Sequence, residues 1–107
     1  MYDAWEHHEA AVELIEKSDS LKNDEAHVLI LQAFELEREA AMYLADAIDL
    51  SKKRSIVFCG AINLALRLHQ YKDAHDLSII AQKSLIHKDF VETIEALRLK
   101  SQTLLMV

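Results

Sequence analysis

The sequence predicts an all-α domain built from short antiparallel helix pairs. Three features point there: turn-forming residues are scarce, helix formers dominate, and apolar positions recur at helical spacing. The 107 residues include no proline and one glycine, Gly60. Strand-and-turn folds need Gly, Pro, Asn or Asp in their tight turns, and Asn23 and Asn63 stand apart from any such pattern. Ala, Leu, Glu, Lys and Gln, all good helix formers, supply much of the chain. Apolar residues make up 51%, enough for one core in one domain.

The first helix is expected over residues 3–17. Asp3 followed by Glu6 has the capping-box pattern, with acidic charge in the first turn where the helix dipole favours it. Ala4, Ala11, Leu14 and Ile15 form its apolar stripe. Ser18-Asp19-Ser20 ends it, because these side chains compete for backbone hydrogen bonds. A second helix is expected over residues 24–36, carrying Val28-Leu29-Ile30-Leu31, Ala33, Phe34 and Leu36. A third follows over residues 38–50, with Ala40, Leu44 and Ala47 on one face. The fourth, over residues 56–68, is the most apolar stretch, interrupted only by Asn63 and Arg67, four residues apart and so on one face. A helix apolar on nearly every other side is surrounded by neighbours, which places this one at the centre. The fifth spans residues 71–86, with Ala74, Leu77, Ser78, Ala81 and Leu85 in helical register. The sixth starts at Asp89, with Glu92 completing a second capping box and Phe90, Ile94 and Leu97 as its stripe. The single domain thus divides into an N-terminal capping helix (1–20), two helix pairs (21–54 and 55–88) and a C-terminal capping helix (89–107).

A shift of 34 residues superimposes Ala40 and Ala47 on Ala74 and Ala81, Leu44 on Ser78, and Phe34 on Leu68. The run Leu68-His69-Gln70-Tyr71-Lys72-Asp73-Ala74 resembles the corner of tetratricopeptide repeats: a leucine and a glycine, one variable residue, a tyrosine, two charged residues and an alanine. Helix–turn–helix units with a period of 34 residues are that family's signature. The chain departs from it at His69, where the family usually has glycine, at Glu37, where the first unit lacks the tyrosine, and in having no helix-ending proline. The resemblance covers roughly residues 21–87. It implies a short α-solenoid whose concave groove, lined by the first helix of each pair, holds an extended or helical peptide. The alternative is a compact, irregular bundle of five to six helices. The resemblance would place Glu25, Leu29 and Gln32 in the groove from the first unit, and Ile56, Cys59, Asn63 and Arg67 from the second. Some members of the family grip a peptide carboxylate with basic residues, but Cys59 and Ile94 stand at such places here, so that clamp is not expected.

The net charge of −6 argues against general nucleic-acid binding, which rests on neutralising phosphates. The charge is divided: residues 1–50 carry 13 acidic and 3 basic side chains, and residues 51–107 carry 5 and 9. No apolar run approaches the ~20 residues that span a bilayer. The first nine residues are polar and acidic, unlike a signal peptide. With Cys59 alone, no internal disulfide is possible, and a cytoplasmic setting is expected.

Six histidines raise the question of a metal, but no Glu has His three residues on, and Asp24 with His27 is the nearest approach. His7 and His8 are adjacent and point to different sides of a helix, and the histidines are expected on polar faces. Cys59 lacks a neighbouring base, so no nucleophile, metal or cofactor is expected. Lys52-Lys53-Arg54 is expected as a solvated loop at the end of the third helix, and Gly60 as a close approach of another backbone or helix. The last helix carries more apolar surface than one packed side uses. Phe90, Ile94, Leu97 and Leu104 are therefore candidates for self-association into a two-fold dimer, with one chain's acidic half facing the other's basic half. The functional expectation is a non-catalytic protein–protein interaction module, an adaptor or chaperone-like protein holding a partner peptide or helix. The rivals are a small metal-binding or enzymatic helical bundle and a structural subunit of a larger complex.

Overall fold

The computed structural model describes residues 2–47 and 50–107. Among them are five α-helices and one 3-10 turn, with no strand: α1 (Ala4–Ser18), α2 (Asn23–Leu44), α3 (Ser51–Arg67), α4 (Tyr71–Lys83), the 3-10 turn Lys88–Phe90, and α5 (Val91–Leu105). Each helix packs on the next, and α3 also touches α5. The molecule measures 41 × 38 × 20 Å. Its thin dimension is close to two helix diameters of about 10 Å each, so the helices form a slab two layers deep.

Contacts at the helix ends show that α1 and α3 both run antiparallel to α2. Tyr2, just before α1, meets Tyr43 at the end of α2 with ring centroids 4.6 Å apart. Arg54 in the first turn of α3 bonds the carbonyl of Leu44, the last residue of α2. At the other end of α3, Arg67 and Leu68 lie beside Asn23, Ala26, His27 and Ile30 at the start of α2.

Asp3 caps α1 by accepting hydrogen bonds from the amides of Trp5 and Glu6, at 3.0 and 3.1 Å. Ala4, Ala11 and Ser18, each seven residues from the next, are all buried, and small side chains at this spacing let α1 approach α2 closely. The helices expected over 24–36 and 38–50 merge into one continuous 22-residue helix, α2, which ends at Leu44, so the helix pair expected over 21–54 is not formed there; residues 48–49 of that expectation lie outside the described residues. The reason is visible in its buried face. Ile30, Ala33, Phe34, Glu37, Ala40, Ala41 and Leu44 follow one helical stripe straight through the expected corner. Glu37, expected at a boundary, is in mid-helix and 2% exposed. Ala47 is half-buried.

α3 is the central helix: nine of its residues are buried, and it packs on α2, α4 and α5. Lys52, Lys53 and Arg54 are not a solvated loop but lie in its first turn, and Arg54 is 1% exposed. The Arg54 guanidinium donates to the Leu44 carbonyl at 2.7 Å and to the Leu85 carbonyl at 2.5 Å. It thereby satisfies a terminal carbonyl of α2, puts positive charge at that helix's negative end, and pins the α4–α5 connection. Ser55 supports the same junction, its hydroxyl accepting from the His87 amide at 2.9 Å.

α3 ends in a Schellman motif, with Gln70 N–H donating to Ala65 at 2.8 Å and His69 N–H to Leu66 at 3.1 Å. His69 has φ 60°, the left-handed conformation that glycine adopts without strain. Ala74, Leu77, Ser78 and Ala81 form the buried side of α4. Leu85, expected in register with them, lies beyond the end of α4 at Lys83 and is exposed. The expected capping box at Asp89 and Glu92 is not used: Phe90 is the N-cap of α5 with no side-chain bond, and His87 instead accepts from the Asp89 amide. α4 and α5 are joined by a polar clip in which Glu95 binds Gln82 and is gripped by Arg98 at 2.6 and 3.0 Å. These bonds hold the Glu95 carboxyl down to about 2.

Candidate functional site

Side-chain burial leaves α3 one narrow free stripe. Val57, Phe58, Ala61, Ile62, Leu64, Ala65 and Leu66 are buried, whereas Ile56, Cys59 and Gly60 are half-buried and Asn63 and Arg67 exposed. The Asn63 amide nitrogen donates back to the Cys59 carbonyl at 2.9 Å, and among the described residues its side-chain oxygen has no hydrogen-bond partner. Arg67 has no ion-pair partner among the described residues. Burial pushes the Cys59 thiol up to about 11, so it stays protonated and is a weak nucleophile at neutral pH.

Ile56, Cys59, Asn63 and Arg67 therefore share one continuous strip of surface. Glu25, Leu29 and Gln32 do not join them. Glu25 and Gln32 are exposed and Leu29 half-buried, on the side of α2 turned away from Ile30, Phe34 and Glu37. What borders Arg67 is the other edge of α2: Asn23, Ala26, His27 and Ile30 line a shallow depression of about 180 Å³ with Arg67 and Leu68. The misplacement follows from the expected corner at Glu37, which assigned the first half of α2 the wrong inward face.

The self-association candidates are mostly internal. Ile94 is 0% exposed, so it is unavailable to another chain, and Phe90, Leu97 and Leu104 are half-buried against the core. The outward apolar residues of this region are Leu85, Val91, Leu99, Leu105, Met106 and Val107.

A second constellation, invisible as a motif, joins three helices. Nδ1 of His8 on α1 lies 2.7 Å from Oε1 of Glu37 on α2. A Cβ built on Gly60 of α3 would collide with the other Glu37 oxygen, so the lone glycine makes room for this carboxyl. Burial pushes the Glu37 carboxyl up to about 8 and the His8 imidazole down, each desolvated in its charged form. His8 is thus half-buried rather than on a polar face. Its ring packs against Trp5, tilted by 37° with centroids 4.6 Å apart, and the Lys53 ammonium sits over Trp5 at 5.1 Å. The sequence does carry a signal for this arrangement: a carboxylate in the middle of an apolar helical stripe, and a glycine in the middle of an apolar helix.

Among the described residues no three His, Cys, Asp or Glu side chains gather as a metal site, and no helix is long and apolar enough to cross a membrane. A scan of protein-family models and searches of curated proteins and of solved structures find no match to this chain.

Proposed function

We propose that the chain is a non-catalytic protein–protein interaction module, with α3 and α4 as a tetratricopeptide-like helix pair and a partner peptide or helix lying along the free stripe of α3. The observation that carries this reading is the character of that stripe. On the most buried helix of the molecule, Ile56 and Cys59 offer apolar contact while Asn63 and Arg67 offer unspent hydrogen-bonding groups in line with them. Grooves that hold peptides combine these two properties, apolar area for affinity and a few polar groups for register. The Leu68–Ala74 corner supports the family likeness: His69 occupies the glycine position in the glycine conformation. A cytoplasmic setting suits the free Cys59 thiol. Self-association, where it occurs, uses the outward side of α5 at Val91, Leu99 and Leu105 rather than Ile94.

The test is selection of binders from a displayed peptide library against the intact protein, followed by Asn63→Ala with Arg67→Ala. The selected peptides should bind the double variant at least tenfold more weakly, about 1.4 kcal/mol, while its melting temperature stays near that of the parent. Equal binding to both proteins would remove the stripe from the account.

A further inference from the structure

α1 packs chiefly on one neighbour, α2, and every residue it buries fully is small. Its fully buried apolar side chains are only Ala4 and Ala11, and the larger Trp5, Leu14 and Ile15 are half-buried. The Lys53 ammonium of α3 lies above the Trp5 ring of α1. Into this closely packed seam of small side chains the chain inserts a carboxyl and an imidazole in direct contact, with Gly60 leaving room for the carboxyl. A buried pair of this kind is electrically neutral only when it holds one proton. Losing that proton leaves an unpaired carboxylate between the helices, and an unpaired buried charge is among the costliest defects a packed interface can carry.

We propose that the His8–Glu37 pair is a proton-operated latch for α1: with one shared proton the helix stays docked, and loss of that proton to solvent releases α1 as a unit while α2 to α5 remain folded. The proposal stands on the three-helix geometry and is independent of the peptide-binding reading. The positions of the two groups on the pH scale support it, because burial raises Glu37 to about 8 and lowers His8, so the one-proton state spans neutral pH. Beside the pair, the His7 ring packs edge-on to Tyr2 with centroids 4.5 Å apart and its Nδ1 buried. Tyr2, whose hydroxyl is raised by burial and by Glu39, Tyr43 and Glu37, stays neutral through this range, as does the Cys59 thiol beside Gly60. Glu9 acts on His8, favouring its charged form, and Lys53 places a positive charge over the Trp5 ring. Release of a locally weak element below the free energy of global unfolding is ordinary protein behaviour, and one buried titratable pair suffices to bias it.

Trp5 is the only tryptophan and sits on α1 against His8, so its emission reports docking of this helix. Emission and far-UV ellipticity are recorded from about pH 6 to about pH 9.5 on the intact protein and on Glu37→Gln. The expected result is a reversible shift of Trp5 emission toward that of solvent-exposed indole, with a midpoint near the Glu37 value of about 8. Most of the helical ellipticity should persist, and Glu37→Gln should show no transition. Glu37→Met, equally untitratable and similar in length, answers the same question if glutamine disturbs the packing. Three results would each overturn the latch: emission constant across the range, the same transition in both variants, or emission and ellipticity collapsing together as global unfolding.

Discussion

The α1–α2 seam and the α3–α4 seam solve the same packing problem with different chemistry. Where α4 packs on α3, its buried residues are all apolar or small: Ala74, Leu77, Ser78 and Ala81. The single buried hydroxyl of α4, on Ser78, is satisfied within its own helix by the His75 carbonyl at 2.7 Å. The α1–α2 seam also uses small residues but places Glu37 and His8 in contact inside it. Hydrophobic close packing responds weakly to pH, whereas a buried titratable pair ties stability directly to proton concentration. One domain therefore contains a seam whose strength is fixed and a seam whose strength is conditional.

The largest disruption should come from Arg54, which belongs to neither seam but ties the end of α2 to the α4–α5 connection. Arg54→Ala leaves the Leu44 and Leu85 carbonyls without their donor and opens a cavity, at an expected cost of about 3–4 kcal/mol in urea denaturation. Arg54→Lys keeps the charge but lacks the fork that reaches both acceptors, so it should recover only part of that loss. A cost under about 1 kcal/mol for the alanine variant would show that water replaces the guanidinium readily.

Overpacking the fixed seam should come next. Ala81 is fully buried, so Ala81→Leu should cost about 1–3 kcal/mol, with the loss nearly independent of pH. An unchanged denaturation midpoint would mean that α4 can shift outward freely, contrary to close packing there.

The conditional seam predicts a pH slope. Glu37 has a folded value raised from 4.5 to about 8, so its contribution is fully present below the unfolded value and is lost as pH rises toward the folded one. His8, lowered from 6.5, works the opposite way, adding stability as pH rises toward its unfolded value. The two oppose each other in mild acid, and the Glu37 loss stands alone between 6.5 and about 8. Over that interval the wild type should lose about 1–2 kcal/mol and then level off, and Glu37→Gln should remain flat. Equal slopes in both proteins would assign the effect to another group.

The smallest expected effect is a gain. His69 holds φ 60° at the end of α3, so His69→Gly should relieve left-handed strain and stabilise by up to about 1 kcal/mol, less the entropy glycine adds to the unfolded chain. A loss would mean that the contact of the His69 ring with Tyr71, 5.8 Å between centroids, matters more than the backbone.

The parts of this architecture readable in sequence are those governed by local chemistry. The Asp3 cap, the apolar wrap of α3 and its stripe of Ile56, Asn63 and Arg67 all follow from residue type and spacing within one helix. The continuity of α2 did not, because a charged residue inside an apolar run looks like a boundary until its partners are known. For Glu37 those partners are His8, 29 residues away in the chain, and the missing side chain of Gly60. Arg54 was equally opaque: its acceptors are backbone carbonyls, which carry no sequence signature. The error at Glu37 then displaced Glu25, Leu29 and Gln32 from the groove, since they were placed by a repeat register that assumed a corner there.

Helix-resolved hydrogen exchange at about pH 6.5 and about pH 8.5, each corrected for intrinsic rates, tests the contrast between the two seams most directly. The account predicts that amides of α1 lose protection at the higher pH by tenfold or more, about 1.4 kcal/mol in opening free energy, while those of α3 and α4 keep theirs. Protection that falls equally in all the helices, or that holds in α1, would contradict it.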